Sequence, residues 1–271
     1  MGPYLIDILK SKHQLTIFNR GYIKTSYTGA LFVKGDRNTG FNFRQKFDVV
    51  IDMCAYAKEH IQSAIEQLDF EFFVNLGTVA SYKKTDQLPF TGSSPLGEWP
   101  LWGEYNKGKV ECERTLENSG INYASIRPVY ILGPANYCDR ENFIYSRIKK
   151  GAPLKLPGDG LANVQFVFAD EVARLLSIVT EQKISGAFNC AGDDSITLKG
   201  LVEEMASIVG KKAIVQTDPV HDGENFDISL FPFANEPLVC DNSRAKSIGM
   251  TFKKLAAGLK SDYANYYSKN I

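Results

Sequence analysis

The feature that most constrains the fold is a series of five strand-length apolar segments in the first half of the chain. In chain order they read QLTIF, ALFV, DVVIDM, EFFVNL and NYASIR. Helical patterns are expected over residues 58–68 and 102–118, on either side of the fourth segment. Apolar strands that alternate with helices are typical of a parallel sheet covered on both faces. Since crossovers are right-handed, the sequence predicts an α/β fold with a doubly wound parallel sheet.

The second half of the chain has a different pattern. Helical periodicity is expected near residues 141–150, 170–180, 198–209 and 253–267, joined by short strands such as GAFNCA and KAIVQT. We therefore divide the chain into a first part, residues 1–135, and a smaller mixed lobe, residues 136–271, from which some segments return to the sheet.

Composition excludes several classes of protein. The 271 residues carry 31 basic and 31 acidic side chains, so no overall charge favours nucleic acid or a membrane surface. The five cysteines form no CxxC pair, which favours reduced thiols in a cytoplasmic setting. With three scattered histidines, we expect no metal site. No apolar run is long enough to span a bilayer.

The clearest chemical signal is the sequence YNKGK, in which Tyr105 and Lys109 are four residues apart on a predicted helix. Residues at this spacing share one face of a helix. An ammonium group near a phenol stabilises the phenolate and lowers the tyrosine pKa, as a general acid or base requires. Alone the pattern is weak, because exposed helix faces contain such pairs by chance.

The context of this pair makes it informative. The strand EFFVNL runs into Gly77-Thr78, and Thr78 lies 27 residues before Tyr105. Open α/β sheets bind ligands at this end of their strands. Here the chain resembles the extended short-chain dehydrogenase/reductases, in the NAD-dependent epimerase/dehydratase family. The resemblance implies that Tyr105 is the acid/base, Lys109 holds the nicotinamide ribose and Thr78 orients the substrate. A hydroxyl that only caps a turn is the alternative for Thr78.

The resemblance continues through the second half. IRPVYILGP is similar to the family's segment over the nicotinamide and places Pro128 near the carboxamide. Residues 151–176 resemble a segment that closes a sugar-nucleotide pocket, and this implies a substrate-binding role for residues 136–271. Asn142, Gln165 and Arg244 are candidate substrate contacts, although ordinary packing is equally expected for each.

The resemblance also implies a dinucleotide site in residues 1–135. In relatives, the residues before GPYLIDILK form the first strand and a Gly-rich turn, of which Gly2 matches the last glycine. The chain resembles a Rossmann-like fold truncated by roughly ten residues, and we expect an open slot beside the strand QLTIF. Asn19 and Arg20 stand where relatives read the adenosine ribose. Because an arginine suits a 2′-phosphate, we favour NADP over NAD.

Four further residues match cofactor positions in the family. Asp36 and Arg37 follow the strand ALFVKG and match the acidic position near the adenine. Cys54 and Ala55 follow DVVIDM and occupy the loop that passes the pyrophosphate, where many relatives have two alanines. A redox role for Cys54 stays open.

The function predicted from the resemblance is an NAD(P)-dependent epimerase, dehydratase or reductase acting on a nucleoside-diphosphate sugar or a related hydroxyl or carbonyl compound. Val79 follows Thr78, which argues against the common sugar 4,6-dehydratase pattern. The alternative is a non-catalytic or RNA-binding protein on the same scaffold, because NRG, GDR and DVVIDMCAY resemble the branch of chloroplast stem-loop-binding proteins. The zero net charge and intact Thr-Tyr-Lys set count against this alternative. The helices expected over 58–68 and 102–118 often pair between subunits in this family, so the resemblance is compatible with a homodimer.

Overall fold

A computed structural model describes residues 1–22, 28–136, 138 and 140–271. In chain order the strands are β1 (Leu15–Asn19), β2 (Ala30–Lys34), β3 (Lys46–Asp52), β4 (Asp69–Leu76), β5 (Tyr123–Pro128), β6 (Tyr130–Leu132), β7 (Pro153–Pro157), β8 (Asn163–Phe168), β9 (Gly186–Cys190), β10 (Ser195–Thr197) and β11 (Ile214–Asp218). The helices are α1 (Gly2–Leu9), α2 (Lys58–Gln67), α3 (Gly103–Glu117), α4 (Arg140–Lys150), α5 (Ala169–Gln182), α6 (Leu198–Val209), α7 (Ser243–Ser247), α8 (Leu255–Asp262) and the short α9 (Ser268–Asn270). A π-helical turn, Tyr263–Tyr267, follows α8.

The largest sheet has four parallel strands in the order β3-β4-β5-β9. Side chains on β4 alternate between its two faces. Phe72 and Val74 enter the main core, whereas Phe73 packs with Ile61 of α2 and Leu116 of α3 in a second cluster. Helices therefore cover both faces, and the predicted doubly wound α/β fold is confirmed.

The first two strands of the chain form a separate parallel sheet. β1 pairs with β2 from Leu15↔Ala30 to Asn19↔Lys34. Within the described ranges no backbone hydrogen bond joins β1 to β3, so the parallel sheet is divided at this point. The division lies where the sequence predicts an open slot. Side chains make contacts at this division. Phe18 of β1 packs against Phe43, in the segment between β2 and β3, with ring centroids 5.5 Å apart.

The remaining strands form two smaller sheets. A three-stranded sheet, β10-β8-β6, takes β6 from residues 1–135; in it β8 is antiparallel to β10 and parallel to β6. β11 and β7 form a parallel pair. β9 returns to the large sheet beside β5. The last predicted helix, over 253–267, is wrong in detail because its final turn widens to the π-helical Tyr263–Tyr267. In the described part of the chain, no helix is both long and apolar enough to cross a membrane.

Candidate active site

Thr78 lies where the backbone leaves β4. Its Oγ1 accepts a hydrogen bond of 3.2 Å from the Ala80 amide and so caps the 3-10 turn Val79–Ser81. Only 8% of the residue is exposed. The same side chain faces the Tyr105 phenol: burial raises the pKa of Tyr105, and a hydrogen bond to Thr78 acts in the opposite direction. Thr78 is therefore both a turn cap and a neighbour of the predicted acid/base.

The structure places the Tyr105 and Lys109 side chains at different depths on α3. Tyr105 is 44% exposed, whereas Lys109 is 4% exposed. The Lys109 Nζ donates a hydrogen bond of 3.0 Å to the Leu76 carbonyl oxygen at the end of β4. The helix is thereby fixed to the carboxyl end of the strand that leads to Thr78, and the predicted set of three residues is brought together.

The electrostatic balance at Tyr105 differs from our expectation. Desolvation is the largest effect and raises the pKa of the phenol, while the Thr78 hydrogen bond and the Arg140 charge lower it by less. Burial also lowers the pKa of Lys109, whose ammonium group is directed to Leu76 and to the Tyr56 ring. We expected the Lys109 charge to set the pKa of Tyr105. In this structure desolvation of the phenol has the larger effect.

Two side chains that contact the site were not selected from the sequence. The Tyr56 ring lies 4.7 Å from the Lys109 ammonium and has its centroid 6.2 Å from that of Tyr105. Asn106 is buried on α3, where its Nδ2 donates to the Ala80 and Gly97 carbonyls at 2.7 and 2.9 Å. The sequence contains a signal for Asn106, because it directly follows Tyr105 on the same helix. A side-chain amide that faces the core needs buried hydrogen-bond partners.

The predicted cofactor residues Asn19 and Arg20 lie at the carboxyl end of β1. Asn19 Oδ1 accepts a hydrogen bond of 2.8 Å from the Gly21 amide. The exposed Arg20 guanidinium lies 4.7 Å from the Tyr22 ring centroid. No carboxylate in the described ranges forms an ion pair with Arg20. The Arg20 guanidinium is therefore available to a ligand at the edge where the strands end.

Arg37, by contrast, is engaged within the protein. Its guanidinium forms two hydrogen bonds of 2.8 Å to the Asp52 carboxylate at the end of β3, and Nη2 also donates to the His60 carbonyl at 2.8 Å. Asp36 caps the turn Arg37–Thr39 by accepting from the Asn38 amide at 3.0 Å. The Arg37–Asp52 pair brings the ends of β2 and β3 close together, although their sheets are not hydrogen-bonded through the described backbone.

The loop after β3 contains the other two predicted cofactor residues. Cys54 is exposed, its amide donates to Asp52 Oδ1 at 3.0 Å, and its Sγ accepts from Arg37 at 3.4 Å. Ala55 is fully buried. At the start of α1, Gly2 has open space around the position of a Cβ.

The residues predicted from the second half lie in different settings. Pro128 is the last residue of β5, opposite Cys190 of β9, at the same edge as Thr78. Asn142 is half-buried on α4. Gln165 bonds the main chain at both ends of its amide, donating to Gly192 at 2.9 Å and accepting from Cys240 at 2.7 Å.

Arg244, the last of these candidates, has a packing role. It donates to the Ser185 carbonyl at 2.7 Å, and its guanidinium lies 4.6 Å from the Phe188 ring centroid. In the described part of the chain, no group of three His, Cys, Asp or Glu side chains could hold a metal ion.

Comparison with known proteins identifies relatives. Residues 43–191, more than half of the chain, match the sequence model of the NAD dependent epimerase/dehydratase family. The Arabidopsis thaliana chloroplast stem-loop binding protein of 41 kDa b, chloroplastic, is 30% identical over 277 residues, which cover 92% of this chain and 71% of that protein.

Solved structures share the fold at much lower identity. The UDP-glucuronic acid 4-epimerase of Bacillus cereus, in complex with UDP-glucuronic acid and NAD, has a TM-score of 0.74 at 16% identity. That match covers 100% of this chain and 96% of the other. The UDP-glucose 4-epimerase of Thermotoga maritima, solved with UDP-glucose, has a TM-score of 0.76 at 17% identity and covers 99% and 96% of the two chains.

Proposed function

Because this chain belongs to the NAD-dependent epimerase/dehydratase family, we propose that it is a nicotinamide-dependent epimerase or reductase of a sugar nucleotide or a related hydroxyl or carbonyl compound. The observation that carries the proposal is the convergence of Thr78, Tyr105 and Lys109 at the carboxyl end of β4. A phenol beside a hydroxyl, one helical turn from a buried ammonium group, is suited to proton transfer at a substrate oxygen.

In this proposal Tyr105 moves the proton. Its phenol is accessible and lies beside the Thr78 side chain. The Thr78 hydroxyl holds the substrate oxygen within reach of the phenol. The Lys109 ammonium group, held by its hydrogen bond to the Leu76 carbonyl, provides a fixed positive charge one helical turn from Tyr105. When bound, the nicotinamide supplies the hydride acceptor and donor.

The residues at the strand ends fit a dinucleotide. Parallel strands end at one edge, and ligands of open α/β sheets bind there. The exposed Arg20 supports our preference for NADP, since a guanidinium binds a phosphate through two parallel hydrogen bonds. We expect Arg20→Ala to weaken NADP binding at least about tenfold and to leave NAD binding unchanged, since one charge-assisted hydrogen bond contributes about 1.5–3 kcal/mol. The exposed Arg44→Ala is the control, and equal loss for both dinucleotides contradicts the preference.

The test of the catalytic assignment is Tyr105→Phe, assayed with UDP-glucose and UDP-glucuronic acid in the presence of NAD or NADP. We expect kcat to fall about 10²–10⁴-fold, because general acid–base catalysis contributes that much. The dissociation constant of the dinucleotide should be unchanged. Tyr123→Phe is the matched control, because Tyr123 is the first residue of β5 and the site lies at the carboxyl ends of the strands. Full activity of Tyr105→Phe would show that another group moves the proton.

A second candidate function, RNA binding, is favoured by one surface. Four exposed lysines lie at the ends of α4 and α6: Lys149, Lys150, Lys211 and Lys212. The two helix ends are close, because Lys211 Nζ donates to the Lys149 carbonyl at 2.7 Å. No Asp or Glu side chain in the described ranges forms an ion pair with any of the four, and Lys149 Nζ donates to the Ile271 carbonyl oxygen at 2.5 Å. A basic surface of this kind attracts phosphates.

The RNA proposal is tested by binding of a stem-loop RNA at several salt concentrations. Replacing the four lysines with glutamine should weaken binding and reduce the dependence of log K on log salt, since fewer counterions are released. The control is Lys246→Gln with Lys254→Gln, because both of these lysines are neutralised by carboxylates. Salt-independent binding, or equal loss in the control, would contradict the proposal.

A further inference from the structure

Tyr56 lies between the two helical residues of the candidate site. It belongs to the loop after β3, and it is 51% exposed. The Lys109 ammonium is 4.7 Å from the centroid of its ring, and the Tyr105 ring is 6.2 Å from it, centroid to centroid. One aromatic ring therefore contacts the buried cation and borders the accessible phenol.

The backbone at Tyr56 is held against the same turn of α3. A Cβ at Gly108 would lie 2.1 Å from the Tyr56 carbonyl oxygen, so this close approach requires glycine immediately before Lys109. The Tyr56 amide donates to His60 Nδ1 at 3.0 Å. Cys112, one turn further along α3, donates its thiol to the Ala57 carbonyl at 3.3 Å. The loop is thus docked on α3 on both sides of the Lys109 turn.

The Lys109 ammonium has an unusual environment. It is buried, it donates to one carbonyl oxygen, and no carboxylate in the described ranges is within ion-pair distance. A buried ammonium group without a counter-ion tends to lose its proton. The face of an aromatic ring attracts a cation, and the attraction strengthens where water is excluded.

We propose that Tyr56 is a positioning residue, whose ring face keeps the Lys109 ammonium charged and aimed at the end of β4. This inference deepens the proposed function and depends on Lys109 acting as a cation there. The ring takes the place that a carboxylate would otherwise have. A carboxylate would form a tight ion pair and withdraw the cation from a bound ribose or phenolate, whereas a ring face stabilises the charge and leaves its N–H groups available.

Other groups around Lys109 also affect its titration. The charged or titratable side chains that act on it, or on which it acts, are Asp52, Cys54, Cys112, Glu113 and His60. The test therefore changes the ring alone and leaves these groups in place. Tyr56→Phe keeps the aromatic face and removes the hydroxyl, and Tyr56→Leu keeps an apolar side chain and removes the face.

The first readout is independent of any cofactor or substrate. Trace acetylation of lysines at a series of pH values, followed by mass spectrometry, reports the ionisation midpoint of Lys109. We expect wild type and Tyr56→Phe to agree, and Tyr56→Leu to shift the midpoint down by about one pH unit, the equivalent of a desolvated cation–π contact. An equal midpoint for Tyr56→Leu and Tyr56→Phe would overturn the inference.

The second readout is the pH profile of kcat. Tyr56→Leu should move the alkaline limb to lower pH, whereas a packing role alone would lower activity equally at all pH values. Uniform loss with an unchanged Lys109 midpoint would also overturn the inference. If Tyr105→Phe is fully active, the proposed function fails, and the acetylation midpoints still decide whether Tyr56 stabilises the cation. Unfolding curves of both variants confirm that they are folded.

Discussion

Glu113 and Arg127 form a bidentate ion pair in the interior, with Nη2 2.8 Å from Oε2 and Nε 3.0 Å from Oε1. Both side chains are almost fully buried. Glu113 lies one helical turn after Lys109, and Arg127 lies on β5, so the pair fixes the active-site helix to the sheet. Ser125 adds a third hydrogen bond to Oε1, at 2.5 Å.

We expect removal of one partner of this pair to be more harmful than removal of both. Arg127→Met leaves a buried, unpaired carboxylate, and the free energy of unfolding should fall by about 3–5 kcal/mol. The double variant Glu113→Leu/Arg127→Met should be more stable than Arg127→Met alone. Urea unfolding of wild type, both single variants and the double variant measures these differences. A double variant whose loss is the sum of the two single losses would contradict this account.

Asn106 joins three segments of backbone around the site. Its Nδ2 donates to Ala80 and Gly97, and its Oδ1 accepts from the Trp99 amide at 3.1 Å. Asn106→Ala leaves these groups buried without partners, so we expect a loss of about 2–4 kcal/mol in the free energy of unfolding. The exposed Asn118→Ala should change it by less than about 0.5 kcal/mol. Similar losses for the two variants would show that the contacts of Asn106 contribute little.

Gly108 is required by the close approach of the loop after β3. In Gly108→Ala the new methyl group would overlap the Tyr56 carbonyl oxygen, and backbone cannot move away as a flexible side chain can. We expect a loss of at least about 1–3 kcal/mol in unfolding free energy, as for other overpacked sites. Gly2→Ala is the control for stability, since its Cβ would meet open space at the start of α1. Thermal or urea unfolding compares the two variants, and equal stability would show that the loop yields without cost.

The pH dependence of stability should contain a contribution from Glu141. Burial raises the pKa of its carboxyl from 4.5 to about 7. The native protein therefore keeps a proton that the unfolded chain releases above about pH 4.5, so this contribution is complete below that pH and is lost as the pH rises through 7.

Glu141→Gln imitates the protonated form and keeps an acceptor for the Gly133 amide. Between about pH 5 and 8 its unfolding free energy should decline less than that of wild type, by up to about 3 kcal/mol. Urea unfolding at unit steps of pH measures the difference. Parallel curves for the two proteins would exclude Glu141 as the source.

The central strands were readable from the sequence because strands buried on both faces contain apolar runs, such as Phe72, Phe73 and Val74 of β4. The sequence also predicted the set Thr78, Tyr105 and Lys109, which the structure brings together, while the roles of these residues stay predictions. Tyr56 could not be found in this way, since its contact with Lys109 arises from the docking of two distant segments. The direction of the Tyr105 pKa was missed for the same reason: desolvation depends on tertiary packing.

The division between β1 and β3 has a consequence for cooperativity. The β1–β2 pair can detach without breaking any described backbone hydrogen bond of the four-stranded sheet. Its strands are partly exposed, whereas most of β4 and β5 is buried. We therefore expect this pair to be an independent unit of low local stability, whose amide hydrogens exchange through sub-global opening well before those of β4 and β5. A nucleotide that bridges Arg20 and the end of β3 would then link the two units, and its binding would be visible as slowed exchange in β1.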